Sequence, residues 1–431
     1  MTSRDGLVAA SPRGAAGPLA LGGVVVLGFW LAAGAAGHTR ATALIPATRH
    51  AHPGWLLGPL SGLHVVVSTA GAGELLLGML ACYAVAVACA DAVSVRWAIA
   101  AVLAAHAVFL VAPPLYSADV FSYLDYGRLG TGGINPYTHG ALFLPNDPVH
   151  PFVLFRNAGS PYGPIFTVLT YPLSGLSVPA GLWILKSVAA LSSLGGLVFV
   201  WRICERLDRP PVPAILLVGL NPLLLAYGVA GAHNDLLMML VAIAGVWLVV
   251  SGREAAGGAA GVAAVAMKAS TAVLVPFLVL GARSRSRALA GGLVAVVAVV
   301  ALAAAAFGGE VVKIASQIGS QQHLESHYSL PVRVGHWIGE GGAPGWLRAL
   351  FVAAFLVAFA WTLWRTWRGA DWIEMAGWAM LALLLSTAWL LPWYPVWLLP
   401  LAAIAPGNRL RFAALAFSAF VLVARVWPLL L

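Results

Sequence analysis

Three short groups of residues in this chain have the types and spacing to do chemistry. The first is Asp119, in Pro114-Leu115-Tyr116-Ser117-Ala118-Asp119-Val120-Phe121-Ser122-Tyr123. A carboxylate among small hydroxyl and aromatic side chains suits a sugar site: aromatic faces stack on sugar rings, and a carboxylate can take the proton of a sugar hydroxyl. Ser and Asp are also favoured where a helix begins, so capping is the competing reading. The second is His233-Asn234-Asp235, three consecutive polar side chains between two apolar blocks. A cap accounts for one of them but not for three, and ionisable groups at membrane depth are costly and mark sites. The triplet lacks the i, i+4 spacing of a helical metal pair. The third is Lys268, which interrupts the apolar stretch Val262 to Leu280. A charge at the centre of such a helix costs about 3 kcal/mol, so it either snorkels from a helix end or holds an anion such as phosphate. Lys186, nearer the end of its own apolar block, reads as a snorkelling lysine.

Weaker groups flank these. Asp125-Tyr126-Gly127-Arg128 and Gly132-Gly133-Ile134-Asn135-Pro136-Tyr137 read first as turn chemistry, and Pro161-Tyr162-Gly163-Pro164 as the start of a surface helix. His323, Glu325, His327, Tyr328 and Arg333 lie in a long polar stretch that could act as a lid or acceptor surface. Their His-x-Glu-x-His alternation would suit a metal only on a strand, so solvated loop residues are the simpler reading. Trp393-Tyr394-Pro395-Val396-Trp397 reads as an interfacial aromatic belt, with sugar stacking as the alternative.

The elements that must position these groups follow from composition. Of 431 residues, 61% are hydrophobic and 9% charged, against about 25% charged in a soluble domain. The apolar residues come in blocks of roughly 17 to 25, long enough for a hydrocarbon core of about 30 Å. Lipid offers the backbone no partners, and the blocks do not alternate as barrel strands would, so they must be helices. We expect an all-α integral membrane protein, one polytopic domain over 1–431. Its spans are expected near 18–37, 66–90, 97–114, 180–203, 212–229, 236–251, 255–267, 269–281, 288–306, 346–366, 373–391, 393–405 and 411–430. Ser11 to Gly17 reads as a short basic disordered start, and the run after it as a retained first helix rather than a signal peptide. The pair 255–267 and 269–281 is short and reads as broken helices meeting near Lys268. The net charge of +9 would point to nucleic acid in a soluble protein. Here the basic residues, such as Arg202, Arg206, Arg209, Arg283, Arg285, Arg287, Arg409 and Arg411, fall in short turns and set orientation, with the N-terminus cytoplasmic. Tyr162 to Val178 then lies as a juxtamembrane or re-entrant helix, because counting it as a span would invert that bias. Three long loops result on the outer face, about 38–65, 115–179 and 307–345, so the chemistry is expected outside. Cys82, Cys89 and Cys204 imply no disulfide framework.

Taken in order, a loop Asp119 after an early helix, Tyr162-Gly163-Pro164, Asn221-Pro222, Gly231-x-His233-Asn234-Asp235, the lone Lys268 and Trp393-Tyr394 resemble the GT-C superfamily of glycosyltransferases. Within it the chain is most similar to the actinobacterial polyprenol-phosphomannose-dependent α-1,6-mannosyltransferases. The resemblance runs from about residue 110 to 400, and the order of short motifs carries its specificity. It implies a GT-C bundle, here of about 13 transmembrane helices with juxtamembrane helices on the outer face. It implies inverting transfer from a polyprenyl-phosphate mannose donor to a mannose hydroxyl of a lipid-anchored glycan, as in lipomannan and the lipoarabinomannan core. The loop carboxylate of the family falls on Asp119, as the base. Many GT-C members carry two adjacent acids there; this chain has Ala118 beside Asp119, which speaks against a paired-acid metal site. No cofactor is expected, and the divalent-cation requirement is open. Lys268 is the first choice for the donor phosphate, with His233 and Arg333 next. Asn234, Asp235, Tyr123, Arg128, Asn135, Tyr137, Tyr162, His323, Trp393 and Tyr394 complete the expected substrate-binding set. Membrane lipid is the expected surrounding, nucleic acid is not an expected partner, and another lipid-linked sugar or a lipid flippase are the alternatives.

Overall fold

The computed structural model describes residues 12–46, 51–321 and 323–430. Among these residues the chain is helices and turns, with a single isolated bridge from Arg40 to Ala51 and no strand. Six helices are long and apolar enough to cross a membrane: Ala15–Ala36, Thr69–Ala88, Val178–Arg206, Arg285–Glu310, Gly345–Trp367 and Asn408–Pro428. The first begins within the stretch expected to be disordered, at Pro12; Ser11 lies outside the described residues. Leu293, Val294, Val357 and Trp367 are each about two-thirds exposed or more on the fourth and fifth of these helices. A soluble surface does not carry such continuous apolar faces, and lipid is the solvent that accommodates them. The chain is an all-helical membrane protein.

Among the described residues, the thirteen expected spans are not all long single helices. Several expected spans are shorter or broken, and the sequence explains where. The stretch 212–229 stops as an α-helix at Gly219 and resumes as a π-helical segment, Leu224–Val229. Pro222 has no N–H to continue the ladder, and the Asn221 side chain accepts from Leu223 N at 3.0 Å instead. The stretch 393–405 holds Pro395 and Pro400 and divides into a 3₁₀ turn, Tyr394–Trp397, and a short helix, Leu399–Ile404. The break near Lys268 is as expected: helix Glu254–Val265 ends, Lys268 is extended at φ −153° and ψ 124°, and the chain continues through Ala269–Leu274 into helix Val275–Gly281. Helix Tyr162–Val178 is reduced to Pro164–Leu169 and a 3₁₀ turn, Tyr171–Leu173. Asp119–Thr131 is helical, in the outer stretch where juxtamembrane helices were expected.

The helices gather so that the reactive candidates lie at one end, and one ion pair with several arginine–carbonyl bonds at the other. At the latter, Arg209 pairs with Asp371 at 2.7 Å and donates to the Ile404 carbonyl, while Arg411 donates to the carbonyls of Ala403 and Ala405.

Candidate active site

Helix Val95–Val111 is cut off by Pro113 and Pro114. Pro113 has no N–H for the Phe109 carbonyl, which would otherwise be stranded in an apolar interior. Lys186 supplies that donor at 3.2 Å and also donates to the Ala230 carbonyl at 2.8 Å. The sequence expectation for Lys186 is therefore corrected: it is fully buried rather than snorkelling, and it fastens the chain leading to Asp119 to the chain leading to His233. Both of those chains turn through a left-handed non-glycine residue, Tyr116 at φ 61° and Ala232 at φ 55°. Such backbone costs about 1–3 kcal/mol per residue and persists where surrounding structure enforces it.

Asp119 is the first residue of its helix, but the capping reading fails. Ala118 is the cap position and makes no side-chain capping bond, while Asp119 N is bound by Ser117 Oγ at 3.1 Å. The carboxylate instead faces His233, with Oδ2 3.7 Å from Nδ1; its side chain is 23% exposed and that of His233 is buried. The His233 ring stacks on Trp393, centroids 3.6 Å apart, and neither ring nitrogen has a hydrogen-bond partner among the described residues. Asn234 accepts from the Tyr123 hydroxyl at 3.4 Å. Asp235 is buried, and its Oδ1 accepts from Lys268 Nζ at 2.7 Å and from Trp397 Nε1 at 2.6 Å. The Lys268 ammonium also sits over the rings of Tyr162, Tyr394 and Trp397, each 5.2–5.6 Å away.

The Tyr162-Gly163-Pro164 segment holds Lys268 in place. Gly163 N and Ile165 N donate to the carbonyls of Met267 and Ala266 at 2.9 and 3.0 Å. A β-carbon on Gly163 would lie 2.1 Å from the Ala266 oxygen, so only glycine permits this approach.

Asp119, Tyr162, Lys268, Trp393 and Tyr394 line one cavity of about 660 Å³. His233, Asn234, Asp235 and Tyr123 stand directly behind its wall. Burial pushes the Asp119 carboxyl up to about 6, with Asp235 adding to the rise and Lys268 and Ser117 opposing it. That value leaves it ionised at neutral pH yet basic enough to hold a proton, as a general base requires.

Five expected residues lie elsewhere. Arg128 pairs with Asp147 at 3.2 Å and donates to the Leu176 carbonyl. Asn135 donates to the Phe307 carbonyl and accepts from Tyr137 N, a turn-forming bond. Tyr137 packs on Phe307 and donates to the Tyr162 carbonyl. His323 is exposed, and its carbonyl accepts from Arg348. Arg333 stacks over Phe420 in a neighbouring groove. Glu325 does line the cavity but is engaged by Arg348 at 2.5 Å and by Ala343 N, which leaves little for the His-x-Glu-x-His reading. Tyr116 and Tyr328, from stretches the sequence singled out, line the cavity too, as do Tyr227 and Arg425, which were not anticipated. Arg425 is a lone cation in the apolar stretch Phe412 to Trp427, where a snorkelling side chain is the simpler reading.

The chain was compared with known proteins. Residues 19–285 match the family model described as alpha-(1→6)-mannopyranosyltransferase, N-terminal domain, and residues 340–428 match an MptB C-terminal domain model. Among curated relatives, alpha-(1→6)-mannopyranosyltransferase A of Mycobacterium tuberculosis is 30% identical over 72% of this chain and 65% of its own length. Alpha-(1→6)-mannopyranosyltransferase A of Corynebacterium glutamicum is 32% identical over 39% of this chain and 36% of its own length. The matched part thus spans less than two-thirds of either relative. No solved structure matches. The N-terminal family model covers both Asp119 and Lys268, and the C-terminal one covers Trp393 and Tyr394, while the cavity lining from Leu324 to Tyr328 falls between the two matches. The chain belongs to the alpha-(1→6)-mannopyranosyltransferase family.

Proposed function

We propose that the protein transfers mannose from polyprenyl-phosphate mannose to a mannose hydroxyl of a lipid-anchored mannan, forming an α-1,6 linkage on the outer side of the cytoplasmic membrane. The observation that carries this reading is a partly exposed carboxylate, Asp119, in one aromatic-walled cavity with a cation, Lys268, in a helical membrane protein of this family. The acceptor oxygen attacks C1 of the donor mannose as the bond from C1 to the phosphate oxygen breaks. The bonding pair leaves with the phosphate, releasing polyprenyl phosphate. The hydroxyl proton passes to Asp119, and C1 inverts from β to α. His233, stacked on Trp393 and facing Asp119, orients the carboxylate. The Trp393 and Tyr394 side chains offer faces on which sugar rings can stack. A lipid donor fits an outer site, where nucleotide sugars are absent, and the basic turns of the sequence favour that orientation.

The test is transfer of labelled mannose from polyprenyl-phosphate mannose to an oligomannoside by membranes carrying wild type or Asp119→Asn. Loss of transfer in the variant is expected, and equal transfer by both would remove Asp119 as the base. Glucose and arabinose lipid donors run beside mannose identify the sugar. No transfer by folded wild type with any donor would favour lipid transport instead.

A further inference from the structure

Lys268 was the sequence choice for the donor phosphate, yet its charge is balanced by Asp235 at 2.7 Å. Arg425 is differently placed. It lines the same cavity from helix Asn408–Leu430, and among the described residues no carboxylate pairs with it. Its neighbours are phenols. Arg425 shares the cavity wall with Tyr116, Tyr227 and Tyr328 and lies within electrostatic reach of all three. The Tyr116 and Tyr227 rings stack at 4.6 Å, and the buried Tyr116 hydroxyl has no hydrogen-bond partner. An unbalanced cation on an apolar helix, beside an unused hydroxyl donor, lacks an anion.

The surroundings say which anion. A second groove, of about 680 Å³, shares His327 and Tyr328 with the Asp119 cavity, so the two meet at that pair. Its wall is apolar on the Arg425 side, with Phe420, Val423 and Trp427 on the same helix. A molecule occupying both spaces would have a polar head toward Asp119, a hydrocarbon tail in the groove, and its charge between them.

We propose that Arg425 binds the phosphate of the lipid donor at the junction of the two cavities, with the sugar toward Asp119 and the polyprenyl chain along the Phe420–Trp427 groove. This rests on the lipid-donor reading above. The planar guanidinium offers paired donors matched to phosphate oxygens, and Tyr116 adds a neutral one. Lys268 then serves to fix Asp235 and the floor of the sugar pocket.

Binding of a short-chain prenyl phosphate to the full-length protein in nanodiscs tests this without turnover, with the corresponding prenyl alcohol as control. Arg425→Gln should weaken prenyl phosphate binding roughly tenfold or more, the loss expected for a charged hydrogen bond, and leave alcohol binding unchanged. Wild-type affinity in Arg425→Gln would overturn the proposal while leaving the donor reading intact. Absence of prenyl phosphate binding by wild type would instead remove the donor reading, and the proposal with it. Should the glutamine variant not fold, Arg425→Lys keeps the charge but loses the fork. A several-fold weakening there is expected, and unchanged affinity would again overturn the assignment.

Discussion

Two acids at the same site, Asp119 and Asp235, have opposite surroundings. Asp235 is buried and satisfied on one oxygen by an ammonium and an indole. Asp119 opens onto the cavity, and its neighbour at 3.7 Å is a histidine whose ring nitrogens are otherwise unpartnered. Burial raises the Asp119 carboxyl and keeps its affinity for a proton, while the Asp235 oxygen is committed to Lys268 and Trp397. The pair therefore divides the labour: Asp235 builds the site and Asp119 is available to react. Had both been clamped, the cavity would hold charges but no base.

The sharpest way to break this comparison is to exchange the consequences. Asp119→Asn should lower kcat by about 10²–10⁴, the range for general-base help, while thermal stability stays close to wild type, because Asp119 satisfies no buried cation. A matching fall in stability would make Asp119 structural like its neighbour. Asp235→Asn should show the reverse emphasis. Breaking a buried pair strands the Lys268 charge and costs about 3 kcal/mol, read as a lower midpoint in thermal or denaturant unfolding. Unchanged stability would mean that the ion pair does not hold the broken helix in place.

How far the site was legible follows the same division. Asp119, His233, Lys268 and Trp393 could be read because each is polar or aromatic at a point where an apolar block is interrupted, and the structure brings them together. The Lys268 break was visible for the same reason. What could not be read were the partners that interruption does not reveal. Arg128, Asn135 and Tyr137 are also polar at breaks, but their bonds go to Asp147, the Phe307 carbonyl and the Tyr162 carbonyl, distant in sequence. Arg425 and the Tyr116–Tyr227 stack were missed because nothing in one dimension places a terminal helix against a loop some three hundred residues earlier. Helix length was overread in the same way. Hydropathy counts apolar residues, while Pro222, Pro395 and Pro400 decide whether they form one helix.

Gly163 probes the coupling between the two acids at a smaller scale. Gly163→Ala would drive a methyl group into the Ala266 carbonyl and displace the extended segment carrying Lys268. The expected result is a fall in kcat of about tenfold, the kind of loss a sub-ångström misplacement of a site produces, with Asp119 itself untouched. Activity equal to wild type would show that the cavity floor tolerates movement and that the Lys268–Asp235 pair is not a geometric requirement.

The smallest effect discriminates most finely. With Asp119 at about 6, its ionised form dominates above that pH, so kcat/KM should rise through a single acid limb centred near 6 and level off toward neutrality. Asp235 raises the Asp119 value by like-charge repulsion, and Lys268 lowers it. Asp235→Asn removes the repulsion and leaves the ammonium uncompensated, so both changes stabilise ionised Asp119 and move the limb to lower pH. The variant should therefore be relatively more active than wild type on the acid side, even with a lower plateau. A limb that stays in place assigns the titration to a group that does not feel Asp235, and one that moves upward contradicts the sign of the charge. Either result would separate the two acids that the cavity joins.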